Sequence, residues 1–378
     1  MIVRPFWIER IRQAWTHRPI VWLAGVRRVG KTTLAHMLPD TVYLNCDLPS
    51  DARRLDDPEL FLRGLPAGAT VVFDEIHRLP DPSRLLKIAA DTFPTLRVLA
   101  TGSSTLAATR KFRDTLTGRK TVVRLSPVLW SESRSGFGPP DLTTRLHRGG
   151  LPEHLLSGQI PEEAYAEWLE SFYARDIQEL FGIRERTGFL DLLRLMLRQS
   201  GGQVEYSALS REVGLSRPTV KAHLEAMTVA LALQPLSPFH GGGRRELVKQ
   251  PKVYAFDTGF VRFARGWREL RREDLGTLWE HLVLDTLRAA LPARSIHYWR
   301  DKSGREIDFV VPGREGVDTF ECKINPDAFE VGALKVFRSA YPQGTDHVVS
   351  PAVETAWQSR IGGRVVRFIG CQDLFDLA

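Results

Sequence analysis

The chain has 378 residues, 26% charged and 43% apolar, with a formal net charge of +7. This is the balance of a soluble globular protein long enough for two or three separately cored domains, and its mild basic excess favours polyanionic partners. Its three cysteines (Cys46, Cys322, Cys371) are far apart and in no metal-ligand spacing, and no apolar run approaches the roughly 20 residues that cross a bilayer. Disulfide frameworks and membrane spans are thereby excluded, and a reducing, cytoplasmic setting is expected. The first residues are amphipathic (Phe6-Trp7-Ile8, Ile11, Trp15) and lack the apolar core of a signal peptide.

Next comes Gly25-Val26-Arg27-Arg28-Val29-Gly30-Lys31-Thr32, between the apolar run Pro19–Ala24 and the helical run Thr33–Leu38. It fits G-x-x-x-x-G-K-[ST] at every required position. A buried strand delivering such a turn into a helix lets backbone N–H groups close around phosphates. The expected nucleotide-binding residues are therefore Gly25 to Thr32 with Thr33. Lys31 is expected on the β/γ-phosphates of ATP and the Thr32 hydroxyl at a Mg²⁺ ion.

Strand and helix then alternate. Val42–Asn45, Thr70–Phe73, Leu96–Ala100 and Thr121–Leu125 read as strands, and Leu85–Phe93 and Ser103–Thr115 as helices, which predicts a parallel sheet with its ligands at the strand C-termini. Asp74 and Glu75 end the second of these strands. Asp74 is placed to hold Mg²⁺, and Glu75 to act as the base toward the attacking water. Thr101 and Ser103, after the next strand, are either a γ-phosphate sensor or simple helix-capping hydroxyls. Arg119, after Gly118, is placed as an arginine finger serving a neighbouring subunit, or is one more solvated cation beside Arg110, Lys111 and Arg113.

These runs resemble the bacterial and archaeal AAA-type ATPases that carry a C-terminal domain of unknown function. The shared motifs are Gly25–Leu34, Tyr43–Asp47, Phe73–Pro80, Thr101–Ser104, Thr117–Arg119 and Gly149–Glu153. The resemblance implies an α/β P-loop NTPase domain of AAA+/STAND-like type, with ATP and Mg²⁺ as ligands. It also implies a helical lid over the base, in which Pro152 of Gly150-Leu-Pro152 touches the adenine. The same residues read equally as a helix-breaking turn. Arg175 is a further lid residue that could reach the nucleotide.

The Pro/Gly/Ser-rich stretch 131–140 ends the first domain. Helices follow at Glu162–Leu180 and Gly188–Gln199. Tyr206 to Leu224 then reads as helix, Gly214 turn and second helix, with Ser216 as its cap and Val220, Leu224 and Met227 as its apolar face. Arg217, Thr219, Lys221 and His223 would point outward as on a groove-reading helix. Leu231–Phe239, the loop carrying Arg244 and Arg245, and Lys252–Phe256 resemble a winged-helix hairpin. The winged helix faces either DNA, through Arg217, Lys221, Arg244 and Arg245, or a protein partner.

In the last hundred residues a helix from Gly276 carries Glu280, and strands are expected at His297–Trp299, Glu306–Val311 and Val317–Lys323. If Gly313–Gly316 is a four-residue hairpin loop, Asp308 lies opposite Glu321, and alternation puts Lys323 on the face of Glu321. Asp308 with Glu321-Cys322-Lys323 is similar to the PD-(D/E)xK nuclease superfamily. The resemblance implies Asp308, Glu321 and Glu280 as metal ligands and Lys323 beside the attacking water, or a site that keeps the fold only to bind DNA. The domains expected are 1–130 (ATPase), 131–200 (lid), 201–272 (winged helix-turn-helix) and 273–378 (nuclease-like). The expected whole is an ATP-hydrolysing machine on duplex or branched DNA, working as a homo-oligomer such as a hexameric ring. The rival is a nucleotide-gated signalling or defence switch whose tail binds a partner without cleaving.

Overall fold

The computed structural model describes residues 2–102, 114–138, 141–157, 162–241 and 250–377. Ser103, Arg110, Lys111, Arg113, Arg244 and Arg245 lie outside the described residues. The chain divides into two units. The first comprises residues 1–126, 168–184 and 229–232, and the second comprises 127–167, 185–228 and 233–378.

The first unit is built on a parallel sheet of β1 (Ile20–Ala24), β2 (Thr41–Asn45), β3 (Thr70–Asp74), β4 (Arg97–Thr101) and β5 (Lys120–Arg124), ordered β2-β3-β4-β1-β5. Every residue of β1 is buried, as the continuous apolar run Ile20–Ala24 requires of a central strand covered on both faces. Trp22, Leu44, Phe73, Leu86 and Val98 share one core around this sheet. The helix Pro82–Thr92 begins at the Asp81 cap and lays Leu85, Leu86 and Ala89 into the interior. The N-terminal helix Pro5–His17 buries Trp7, Ile8, Ile11 and Ala14, and the Trp15 indole N–H donates to Val98 O at 3.0 Å.

The second unit carries two further sheets. A three-stranded antiparallel sheet orders β6 (Gly202–Gln203), β8 (Lys252–Ala255) and β7 (Leu233–Leu236). Between β6 and β7 in the chain lie the helices Tyr206–Val213 and Arg217–Val229, joined through Gly214 in the left-handed region (φ +67°). A six-stranded mixed sheet orders β13 (Trp357–Ile361), β14 (Arg364–Ile369), β12 (Asp346–Val349), β11 (Val317–Cys322), β10 (Glu306–Pro312) and β9 (His297–Arg300). The long helix Arg272–Ala290 buries Leu278, Trp279, Leu282 and Val283, and the Trp279 indole donates to Val349 O at 3.0 Å. Within the six-stranded sheet, buried Asp346 is held between the guanidinium groups of Arg338 and Arg364.

Gly149 and Gly150 fill a backbone role in this unit. Gly149 has φ +84°, and a Cβ there would lie 2.0 Å from Asp257 Oδ1. The Gly150 amide donates to Asp257 Oδ2 at 2.5 Å, and a Cβ on Gly150 would fall 2.3 Å from Arg145 Nη2. Pro152 is the first residue of the short helix Pro152–Leu156 that follows.

Two expectations change here. His223 was read as facing outward, but it is buried against Phe189, with ring centroids 5.3 Å apart. In a helix of 3.6 residues per turn, position 223 falls on the face of Val220 and Met227, which are also buried. The segment read as one helix from Glu162 to Leu180 is helical over Glu162–Phe172, then widens to a π-turn over Tyr173–Gln178. Its later half belongs to the first unit.

Candidate functional site

The loop leaving β1 is shaped by backbone that few side chains tolerate. Gly30 has φ +99° and Arg28 φ +62°. A Cβ on Gly25 would lie 2.8 Å from both Leu125 O and Val29 Cγ1, so only glycine lets the loop lie this close to the strand ends. The Lys31 ammonium donates to Gly25 O at 2.8 Å and to Val26 O at 3.1 Å, inside the curve of its own loop. Desolvation lowers the Lys31 pKa, while Glu75, Asp176 and Asp74 oppose that shift.

Asp74 is the hub of the site. It is 2% exposed at the end of β3. Its Oδ2 accepts from Thr32 Oγ1 at 2.8 Å and from Tyr43 OH at 2.6 Å, and its Oδ1 accepts from the Thr101 hydroxyl. Burial and Asp74 together raise the Tyr43 pKa, so the phenol stays a donor. Thr101, fully buried, also accepts the Glu75 amide at 3.1 Å. One hydroxyl thus fixes both the Asp74 carboxylate and the Glu75 backbone. Glu75 itself has φ +53°, a conformation rare for a residue with a side chain, and its Oε2 lies 3.1 Å from His77 Nδ1. Burial lowers the His77 pKa against the pull of Glu75, which favours a neutral imidazole at neutral pH.

Arg119 stands apart from this site. It precedes β5, whose first residue is in register with Ile20 at the start of β1, whereas the loop leaves β1 at its other end. Five strand residues, roughly 16 Å, separate the two levels. Its guanidinium grips Asp91 through Nε (2.6 Å) and Nη2 (3.0 Å). Arg175 is exposed on the π-turn, and its neighbour Asp176 is the residue that meets the loop: Arg27 Nε donates to Asp176 Oδ2 at 2.7 Å.

In the second unit, the register of β10 with β11 runs from Pro312↔Val317 to Phe309↔Phe320, which sets Asp308 opposite Glu321 one pair further on. Asp308 Oδ2 accepts the Cys322 amide at 2.7 Å, Glu321 Oε2 meets Lys323 Nζ at 3.0 Å, and Glu280 Oε2 accepts from Tyr254 OH at 2.7 Å. Burial, then Asp308, push both Glu280 and Glu321 above the usual carboxylate range. A second lysine enters from β8. Lys252 is 5% exposed and ion-paired with Glu306. Burial works against its charge, but Glu280, Glu306 and Asp308 outweigh it and its pKa is raised. The acids are thus met by this chain's own ammonium, phenol and amide groups. Among the described residues, no group of three or more His, Cys, Asp or Glu side chains is placed to hold a metal ion.

On the helix Arg217–Val229, Arg217 and Lys221 are exposed one turn apart, and Thr219 shares a hydrogen bond with the capping Ser216 at 2.7 Å.

The model of an AAA domain matches residues 17–133. Two domains of unknown function match 139–271 (DUF8612) and 275–368 (DUF4143). Uncharacterized proteins of Mycobacterium tuberculosis and Mycobacterium bovis are each 31% identical over 318 residues, 80% of this chain and 69% of theirs. The chain belongs to the AAA-type ATPases with a C-terminal DUF4143 domain. Similar solved structures include the Walker-type ATPase of Pyrococcus abyssi (17% identity, TM-score 0.44, 68% of this chain and 94% of that one). The RuvB Holliday junction branch migration motor of Thermotoga maritima is another (17%, 0.32, 62% and 89%).

The ATPase therefore binds and hydrolyses nucleotide, and its first unit fits that substrate. The glycine cradle at Gly25, the ammonium within the loop and the hydroxyl-ringed carboxylate are the groups phosphates and a divalent cation require. Among the described residues no helix is long and apolar enough to cross a membrane. Three participants escaped sequence reasoning: Tyr43, His77 and Asp176, the partner of Arg27. Tyr43 lies in a shared motif, and a polar ring in a strand beside a buried acid is the signal that marks it.

Lys31→Ala is expected to weaken ATP binding by about ten-fold or more, the worth of hydrogen bonds to a charged group. Glu75→Gln should bind ATP as tightly as wild type and lose about a hundred-fold or more in kcat. Equilibrium binding paired with phosphate release checks both, and wild-type turnover in Glu75→Gln would remove Glu75 as the base.

Proposed function

We propose an ATP-driven machine that acts on DNA as a ring-shaped homo-oligomer. The observation that carries the chemical half is the Asp74 hub, which fixes Thr32, Thr101 and the Glu75 backbone in one constellation. In this reading Gly25 to Thr33 wrap the phosphates of ATP and Lys31 neutralises the β/γ oxygens. Thr32 and Asp74 would hold Mg²⁺, which would supply positive charge against the charge developing on the transferred phosphoryl group. Glu75 orients the attacking water and takes its proton, and His77 holds the Glu75 side chain. Ser103 belongs to this reading through its place in the sequence alone. Pro152 likewise belongs to this reading through its motif, Gly150-Leu-Pro152, alone.

The ring is supported by the placement of Arg119. At the N-terminal edge of the sheet it is remote from its own loop, so the nucleotide it could serve belongs to a neighbouring copy. DNA is supported by the helix-turn-helix with its antiparallel strands, the arrangement of a winged helix, and by Arg217 and Lys221 standing clear of the buried face. Arg244 and Arg245 would add the wing loop.

The tail supports the non-cleaving alternative in one respect. Asp308, Glu321 and Lys323 keep the residue types of phosphodiester cleavage, but lysines 252 and 323 and the Tyr254 phenol already meet the acids. In this alternative the tail binds a partner without cleaving, its acids being engaged by groups of the chain itself.

Four measurements test these proposals. Arg119→Ala should bind ATP normally, lose about a thousand-fold in turnover, and regain part of it when mixed with Glu75→Gln subunits. Mixed oligomers that show no rescue would oppose a finger acting on a neighbour. ATP turnover should rise with duplex or junction DNA. In Arg217→Ala/Lys221→Ala the slope of log K against log salt should flatten by about 1.8 for duplex DNA; an unchanged slope would turn the helix toward a protein partner. With Mg²⁺ or Mn²⁺ and no ATP, the wild type should cut DNA no faster than Asp308→Ala, and cutting above that background would restore the nuclease.

A further inference from the structure

Residues 168–184 are far from the phosphate loop in sequence, yet they belong to the first unit. Their attachment is specific. The Trp168 indole donates to Arg27 O at 3.3 Å, and its ring stacks on Phe172 at 5.1 Å between centroids. The helix then widens into the π-turn Tyr173–Gln178, which presents Asp176 to Arg27 Nε. Glu179 accepts from Arg78 Nη1 at 2.9 Å, and Arg78 also pairs with Asp47 at 3.2 Å. Tyr173 OH closes the segment on Ile183 O at 2.9 Å, and Gly182 reverses the chain at φ +66°. The segment therefore has one hold on the phosphate loop and another on the turn after Glu75.

Arg27 and Asp176 are both partly buried, with side chains 26% and 17% exposed, so their attraction is screened less than that of a surface pair. The charge that reaches Lys31 comes from Glu75, Asp176, Arg27 and Asp74. Asp176 is thus a carboxylate set where a triphosphate would have to come close, and it engages the loop cation nearest to it. A like charge at that place repels the phosphates, and each hydrogen bond it takes from Arg27 is one the phosphates cannot take.

We propose that Asp176 is a positioning residue of the nucleotide site, sharing the Arg27 guanidinium with the phosphates, so that segment 168–184 is released when nucleotide is bound. The inference rests on the reading of Gly25–Thr32 as the phosphate loop. It extends that reading to a residue of the chain's middle third and gives the segment a response to occupancy. Coupling of this kind is reciprocal: whatever nucleotide does to the Arg27–Asp176 pair, loss of the pair does to nucleotide affinity.

The test uses the full chain and measures binding of ATP and ADP together with kcat. Asp176→Asn should tighten ATP binding by about five-fold or more, with a smaller gain for the less charged ADP, and the gain should shrink in high salt. Asp176→Glu, which keeps the charge, should stay within about two-fold of wild type. In an Arg27→Ala background the gain from Asp176→Asn should fall by more than half, because the shared cation is gone. A merely structural role would give the opposite sign, with weaker binding and a lower Tm. In the wild type, which needs no substitution, amide exchange over residues 173–182 should quicken several-fold when a non-hydrolysable ATP analogue is added. Unchanged or weaker ATP binding in a folded Asp176→Asn, or slower exchange of that segment with the analogue, overturns the proposal. If Lys31→Ala binds ATP as wild type does, the phosphate-loop reading itself fails, which is a separate result.

Discussion

A carboxylate cannot be buried unless its oxygens are met, and at Asp74 three hydroxyls meet them. Tyr43 comes from the strand on one side of β3, Thr101 from the strand on the other, and Thr32 from the helix that follows the glycine loop. The geometry of the loop is thereby referred to the middle of the sheet. A shift of any one of these strands would leave a buried negative charge with fewer partners, at a cost of about 1–3 kcal/mol or more for each group unmet. The site is rigid because the acid at its centre requires it to be.

The acid cluster of the second unit solves the same problem differently. Neutral hydroxyls surround Asp74, and a cation arriving there would displace no like charge from it. Ammonium groups attend Glu306 and Glu321, and a cation arriving there would have to displace a like charge. Both clusters are carboxylates at strand ends or hairpins, and a motif alone does not tell them apart. The difference lies in the donors brought by neighbouring elements, chiefly Lys252 from a strand more than fifty residues upstream of Asp308.

This explains how much could be read in the chain directly. The parallel strands, the glycine loop and the facing of Asp308 and Glu321 follow from local rules: apolar runs, left-handed glycines and a hairpin whose loop length fixes its register. Thr101 was read as a sensor or a cap, and its place between Asp74 and Glu75 could not be foreseen from either residue. His223 was misplaced because two exposed cations nearby suggested a polar face, whereas helical period alone assigns it inward. The parallel pairings of β12 with β11 and β14 join segments distant in sequence and carry no motif, whereas the β13–β14 hairpin turns through Gly362-Gly363 at positive φ, a local signal that was passed over. Asp176 was overlooked in favour of Arg175 because a π-turn advances the helix face by about one residue.

The interleaving of the two units bears on how the protein is made. A ribosome delivers residues 1–126 first, with all five strands of the ATPase sheet. The unit still lacks the segment that meets Arg27 and Arg78, and then residues 229–232, until about a hundred further residues have emerged. At roughly 5–20 residues per second, that interval lasts on the order of ten seconds. During it the phosphate loop lacks the Trp168 and Asp176 contacts to Arg27. A fragment ending at residue 133 would lack those contacts, because residues 168–184 and 229–232 of the same unit lie beyond it.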